Sequence, residues 1–184
     1  FLAGVITGPN TLPCPPGARG WRRFLLAWGT IAHHELALLL TAVGLGAMAW
    51  EAPNTTGLWT FLLLFGARIS AKLNVYLGVP NFSDEMLPRP MGHLKTYFAK
   101  RPMNLLFPIS ITLLTFAAAC WAERAYAAPP GSGAEIGFVL LATLTTLAIV
   151  EHWLMVLPVR DALLWQWMAR KPDLPPGTAP GPAD

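Results

Sequence analysis

Three residues that could do chemistry, His33, His34 and Glu35, stand side by side within the apolar stretch IAHHELALLL. An ionised side chain at the centre of a bilayer costs about 3 kcal/mol or more, so such residues are rare there unless they are paired, neutral or functional. Imidazole and carboxylate groups can bind metals, carry protons or form ion pairs. This stretch is therefore the first place in the sequence to look for a functional site.

The composition of the chain indicates the elements that must position these residues. Of the 184 residues, 54% are hydrophobic and only 12% are charged, and the mean hydropathy is +0.45. These values describe an integral membrane protein and exclude an ordinary soluble domain. A membrane-spanning helix needs about 20 apolar residues, and four stretches meet this requirement: Phe24 to Trp50, Gly57 to Gly78, Met103 to Tyr126, and Ala134 to Leu157. We therefore predict an all-α bundle of four transmembrane helices.

The positions of the cations predict the orientation of this bundle. Lys and Arg concentrate in loops that stay on the cytoplasmic side, and ten of the thirteen border the predicted spans on one side of the membrane: Arg19, Arg22, Arg23, Arg89, Lys95, Lys100, Arg101, Arg160, Arg170 and Lys171. We expect both ends of the chain to be cytoplasmic. Because the cations border spans, the net charge of +3 gives no indication of nucleic-acid binding.

Regions outside the spans have their own character. Residues 8–24 are rich in Pro and Gly and end in an Arg and Trp cluster, which predicts a loop with a headgroup anchor. Residues 93–101 have the spacing of a short amphipathic surface helix, with a solvated turn as the alternative. We predict one membrane domain over residues 1–171 and a disordered, Pro-rich tail over 172–184. The chain starts at Phe1 without an initiator Met or a signal pattern, so we expect an N-terminal part to be missing.

Seven ionisable residues of the spans fall in the cytoplasmic half of the predicted bundle, between roughly 8 and 17 Å from its face at about 1.5 Å of rise per residue. They are His33, His34, Glu35, Arg68, Lys72, Glu151 and His152. Charges at one level on three helices can meet in a bundle interior. The simplest interpretation is a neutral clamp, in which two carboxylates offset two cations at i,i+4 spacing on one helix.

Two other interpretations assign chemistry to this layer. Imidazole and carboxylate groups suit Zn, Fe or Mn, which makes metal ligands of His33, His34, Glu35, Glu151 and His152, or of the last four alone. Two features count against a metal site: neighbouring helical residues point about 100° apart, and no Glu-x-x-His motif occurs. Alternatively, a single histidine could ligate the magnesium of a chlorin if a small residue one turn away leaves room for the ring. His33 with Gly29 and His152 with Ala148 have this spacing. The residues alone leave these alternatives open.

A family resemblance adds to this reading. The blocks FLAGVITGP, CPPGARGWRRF, HHELAL, RISAKLNVYLGVPNFSDEMLP, YFAKRPMNLLFP and EHWLMVLP run from residue 1 to about 168. In their order and intervals they resemble PuhE, the photosynthetic complex assembly protein family of phototrophic bacteria. Members carry further hydrophobic segments before the position of Phe1, the last ending in a His-Glu pair. This chain departs from the pattern by an extra His in HHEL and by Phe65 and Gly66 before Arg68.

The resemblance implies a polytopic protein of the bacterial photosynthetic inner membrane that supplies bacteriochlorophyll or assembles the reaction centre with its core antenna. Its implied cofactor is bacteriochlorophyll, and its implied partners are reaction-centre and core antenna subunits or bacteriochlorophyll biosynthesis enzymes. No catalytic residue is established for the family. We therefore expect an assembly factor rather than an enzyme. The alternative is a membrane-embedded, metal-dependent enzyme that acts on a tetrapyrrole or an isoprenoid.

Overall fold

The computed structural model describes residues 10–81, 89–99 and 101–157, and over these residues the chain is helical, with no strand. The elements are α1 (Gly20–Met48), α2 (Thr56–Leu77), a 3₁₀ helix (Arg89–Tyr97), α3 (Leu106–Ala127) and α4 (Gly133–Leu154). Among the described residues, these four α-helices are long and apolar enough to cross a membrane. The predicted all-α, four-span architecture is confirmed, and the predicted tail lies outside the described residues.

The helix ends differ from the predicted span ends where specific residues set them. The first helix begins at Gly20 and not at Phe24, so the predicted Arg and Trp anchor forms its first turn and is not part of a loop. The third begins after Asn104, whose Oδ1 accepts the backbone N–H groups of Leu106 and Phe107 at 2.9 and 3.1 Å. These contacts satisfy donors that have no partner within the helix. The predicted start at Met103 is therefore too early.

Asn104 also serves the end of the neighbouring helix. Its Nδ2 donates to the backbone carbonyls of Asn74 and Gly78, at 3.1 and 3.0 Å, in the last turn of α2. Gly78 has a φ of +114°, and a Cβ there would lie 2.8 Å from the carbonyl oxygen of Ala99. Only glycine fits this turn. One buried side chain thus joins the end of α2 to the start of α3.

Packing is uneven across the four helices. The helices α3 and α4 form an extensive antiparallel pair, and α2 packs against α4. The approach of α2 to α4 is so close that a Cβ at Gly137 would lie 2.5 Å from Thr56 Oγ1. By contrast, α1 is held mainly by α2 and, near its first turns, by the 3₁₀ helix. The result is a tight unit of α2, α3 and α4 with α1 attached along one side.

Candidate functional site

An ionic cluster joins α1 to α2. Glu35 is 2% exposed, and its Oε1 pairs with Lys72 Nζ and lies 3.6 Å from an Nη atom of Arg68. The two cations are one helical turn apart and keep 31% and 40% of their side chains exposed. The predicted charge clamp pairs two carboxylates with two cations, whereas here a single carboxylate lies beside both cations. The ionic cluster, Glu35, Arg68 and Lys72, therefore carries a surplus positive charge.

A second, neutral cluster lies between α2, α3 and α4. His152 is completely buried, with Nε2 2.9 Å from Ser70 Oγ. Ser70 Oγ lies 2.8 Å from Ser110 Oγ, to which Asn74 Nδ2 donates at 3.1 Å. With Asn104, these residues form the neutral cluster. Each side chain makes at least one polar contact, as a hydrocarbon environment requires, although Asn74 Oδ1 has no hydrogen-bond partner among the described residues.

The second ring nitrogen of His152 fixes its tautomer. Nδ1 lies 2.8 Å from the carbonyl oxygen of Ala148, and a carbonyl can only accept, so Nδ1 carries the hydrogen. In the neutral ring Nε2 is then an acceptor that faces Ser70 Oγ, and the single hydroxyl hydrogen of Ser70 lies within reach of both Nε2 and Ser110 Oγ. Both nitrogens are engaged within the protein. A pigment or metal bound to this imidazole would have to displace Ser70 or Ala148.

A large groove runs between α1, α2 and α4, on the side of α2 that carries the ionic cluster. Its volume is about 980 Å³, and its lining is predominantly apolar. Phe24, Trp28 and Tyr76 line it near the first turns of α1, where Phe24 lies edge-on to Tyr76 with ring centroids 5.8 Å apart. Arg68, Lys72, His34 and Glu151 supply its polar lining. The groove exists because α1 contacts α2 but barely reaches α4.

The 3₁₀ helix covers one end of this groove, and the segment before α1 holds it there. Leu94, Tyr97 and Phe98 are among its lining residues. Tyr97 is buried, and its hydroxyl accepts from Asn10 Nδ2 at 3.1 Å and donates to the Leu12 carbonyl at 3.0 Å. Burial raises the pKa of the Tyr97 phenol above its ordinary value of 10.0, although the bond from Asn10 opposes the shift. The phenol therefore stays protonated and keeps donating at neutral pH.

The structure separates the seven residues of the predicted polar layer. Glu35, Arg68 and Lys72 form the ionic cluster, and His152 belongs to the neutral cluster. His34 and Glu151 are exposed and line the groove, whereas His33 is exposed and does not. Among the described residues, Glu151 makes no ion pair. The seven residues are thus divided between both sides of α2 and do not form one continuous layer.

The geometry also bears on the two ligand interpretations. Across residues 10–81, 89–99 and 101–157, no three His, Cys, Asp or Glu side chains are grouped as a metal site requires, so His34, Glu35, Glu151 and His152 are not brought together. The space beside Gly29, proposed for a ring bound at His33, holds Asn10, whose Cβ would lie 3.7 Å from a Cβ at Gly29. Asn10 also donates its backbone N–H to the Gly29 carbonyl at 3.1 Å.

The neutral residues beside His152 were not anticipated from the sequence. These residues carry no charge and lower the hydropathy of their spans only slightly, so hydropathy does not distinguish them: Ser70, Asn74, Asn104 and Ser110. One available signal was the i,i+4 spacing of Ser70 and Asn74, which places both on the same face of α2. Arg68 and Lys72 have the same spacing but are offset by two residues, about 200° around the helix. Two polar faces on one span could have been recognised.

Comparisons with known proteins give a family and one relative. A family model described as "Protein of unknown function (DUF3623)" matches residues 1–175. Over 182 residues the chain is 49% identical to a Rhodobacter capsulatus protein described as "Uncharacterized 30.4 kDa protein in puhA 5'region". That alignment covers 99% of this chain and 66% of the relative, so the chain spans less than two thirds of the relative's length. No solved structure matches.

Proposed function

The chain belongs to the DUF3623 family, and from this premise we propose that it is an assembly or bacteriochlorophyll-supply factor for bacterial reaction-centre and core antenna complexes. The location of the R. capsulatus relative in the puhA 5' region, within a photosynthesis gene cluster, supports this assignment. The resemblance to PuhE and the placement in the photosynthetic inner membrane are part of the same proposal.

The groove is the observation on which the proposal rests. A chlorophyll-type pigment is a flat, largely apolar molecule with a hydrocarbon tail, and a protein that hands it over within a bilayer needs an apolar site. The groove offers about 980 Å³ between helices that fit a membrane, which is near the upper end of small-molecule sites. Its aromatic and small side chains suit a flat ring, and its few polar groups suit the keto and ester oxygens at a ring's edge.

The function is tested by deleting the gene in its host and measuring reaction-centre and core antenna absorbance in membranes. We expect both to fall, and the intact gene to restore them. Complementation with Ala71→Phe, which places a ring in the groove, should fail, whereas Ala119→Phe on an exposed position of α3 should succeed. Normal complexes in the deletion strain would contradict the proposal.

The orientation is a second part of the proposal. The cation distribution favours a cytoplasmic location for the start of α1, the 3₁₀ helix and the end of α4. After Cys14→Ser and Cys120→Ser, cysteines introduced by Gly57→Cys or Ser132→Cys should react with an impermeant maleimide from the periplasm. The Ser83→Cys variant should not react in intact cells, and its labelling there would reverse the assignment.

A further inference from the structure

Three histidines lie within the helices that fit a membrane, and the groove distinguishes one of them. His34 lines the groove, His33 does not, and His152 is buried in the neutral cluster. The His34 imidazole makes no hydrogen bond or ion pair among the residues that the structure describes, whereas both ring nitrogens of His152 lie within hydrogen-bond distance of protein atoms. His34 is therefore the imidazole that a molecule in the groove could reach without displacing a protein contact.

An imidazole in this position needs a partner. Leaving a polar group in an apolar environment without a hydrogen bond costs about 2 kcal/mol or more. At about 1.5 Å of rise per residue, His34 lies roughly 21 Å from the start of α1, so it lies far from both ends of a 29-residue helix. A ligand that accepts the nitrogen lone pair would remove this cost, as metal ions do for neutral imidazole.

The remainder of the groove suits a flat molecule. Ala67, Ala71 and Ala148 line its walls, and Thr30 lies one helical turn before His34. These small side chains leave room for a ring to lie against the helices. Arg68, on the opposite wall, is the more exposed cation of the ionic cluster, and its contact with Glu35 is the longer of the two. It can donate to an oxygen at the edge of such a ring.

We propose that His34 is the axial ligand of a magnesium tetrapyrrole held in this groove. The inference deepens the proposed function and rests on it for the choice of ligand class. The step is coordination alone: the lone pair of one ring nitrogen binds the open axial position of magnesium, the other nitrogen keeps its hydrogen, and nothing is oxidised or reduced. Arg68 donates to a peripheral oxygen, either of a free propionate or of its ester.

The test is titration of the purified chain in detergent with bacteriochlorophyll a and, in parallel, with its magnesium-free form, bacteriopheophytin a. The intact chain should bind the magnesium pigment more tightly. His34→Leu should weaken that binding by about tenfold or more, the range seen when a metal site loses support, and should shift the Qx absorption band that reports axial coordination. His33→Leu, a neighbouring and equally exposed change, should alter neither.

Several outcomes would overturn the assignment. Equal affinity for both pigments, or unchanged binding in His34→Leu, would mean apolar partition without ligation, and loss of binding only in His33→Leu would move the ligand to that residue. Ala71→Phe keeps the imidazole but fills the groove, so it should abolish binding even if His34→Leu folds poorly. Retained binding in Ala71→Phe would place the pigment elsewhere.

Two further experiments extend this test. The first identifies whether the ligand is the free acid or the ester, and the second distinguishes failure of the pigment site from failure of the proposed function. If bacteriochlorophyllide a binds more tightly than the esterified pigment and Arg68→Gln removes the difference, the ligand is the free acid; otherwise it is the ester. If gene deletion leaves photosynthetic complexes unchanged while His34-dependent binding persists, the proposed function fails and the site stands. If deletion removes the complexes but binding does not depend on His34, the reverse holds.

Discussion

The two faces of α2 accommodate polar side chains within a membrane-spanning helix in different ways. One face carries Ser70 and Asn74, whose side chains lie in the neutral cluster with α3 and α4, and Asn74 is completely buried. The opposite face carries Arg68 and Lys72, which meet Glu35 of α1 and remain 40% and 31% exposed. Neutral groups are thus placed in the interior, while the two cations are placed at the edge of a groove and only their carboxylate partner, Glu35, is buried.

The difference follows from the cost of desolvation. A buried ion pair recovers the energy of leaving water only when its geometry is excellent and its remaining atoms are bonded. Glu35 meets this condition in part, because its Oε2 has no hydrogen-bond partner among the described residues. The neutral cluster also leaves one buried atom, Asn74 Oδ1, without a partner among the described residues, but burying an uncharged amide costs less than burying an ion, so this cluster can hold helices closely together. We infer that α2, α3 and α4 form the stable unit, and that the α1 interface is the adaptable one.

Asn104 gives the largest expected effect on this comparison. Asn104→Ala removes two hydrogen bonds from the Asn104 amide to the last turn of α2 and two that the Asn104 Oδ1 accepts at the start of α3. At about 0.5–1.5 kcal/mol for each bond, we expect a loss of about 3 kcal/mol in the free energy of unfolding. Reversible unfolding in mixed detergent micelles, followed by circular dichroism, measures it.

Asn54 provides a matched control for this change. It also precedes a helix, but it is exposed, and within the described part of the chain its Oδ1 accepts only from the backbone N–H of Thr56, at 2.9 Å. Asn54→Ala should cost about 1 kcal/mol or less, because it removes one exposed hydrogen bond. Equal losses for the two variants would mean that the contacts between α2 and α3 contribute no more than one exposed hydrogen bond.

The sequence was sufficient for the architecture because hydropathy over about 20 residues is a strong signal. The pairing of Glu35 with the cations of α2 was also accessible, since intramembrane charges seldom occur unpaired. The division of the seven ionisable residues between two clusters and the groove could not be predicted in this way. It depends on how each helix is rotated about its axis, which decides the helix that each side of α2 faces. The same rotation of α1 decides that His34 lines the groove and His33 does not. The groove exists because α1 makes few contacts with α4, and a local sequence pattern gives no information about such contacts.

The overlap of Asn10 with the space beside Gly29 shows the same limit. Gly29 and His33 have the spacing expected of a ring site, and spacing along one helix is all that a sequence provides. Whether another segment occupies the space is a tertiary property, here set by the contacts of Asn10 with Tyr97 and with the backbone of Leu26 and Gly29. Tertiary structure likewise places His34, and not His33, beside open space in the groove.

The ionic cluster gives the smaller expected effect. Lys72→Met removes the closer partner of Glu35 but leaves Arg68 beside the same carboxylate. Breaking a fully buried pair costs about 3–5 kcal/mol, but the remaining cation and the partial exposure of both cations should reduce the loss to about 1–2 kcal/mol. Combining Lys72→Met with Glu35→Gln removes the uncompensated charge, so the double variant should be more stable than Lys72→Met alone. The same unfolding measurement tests both.

A change at a surface lysine serves as the control, because it removes a positive charge without breaking an ion pair. Lys95 is exposed on the 3₁₀ helix, so Lys95→Met should change the free energy of unfolding by less than about 0.5 kcal/mol, and its combination with Glu35→Gln should be additive because the two residues share no contact. Additivity of Lys72→Met with Glu35→Gln as well would show that the ion pair contributes nothing to stability. The attachment of α1 would then depend on the apolar contacts along α2 and on the covering 3₁₀ helix, and the contrast between the two faces of α2 would concern ligand binding alone.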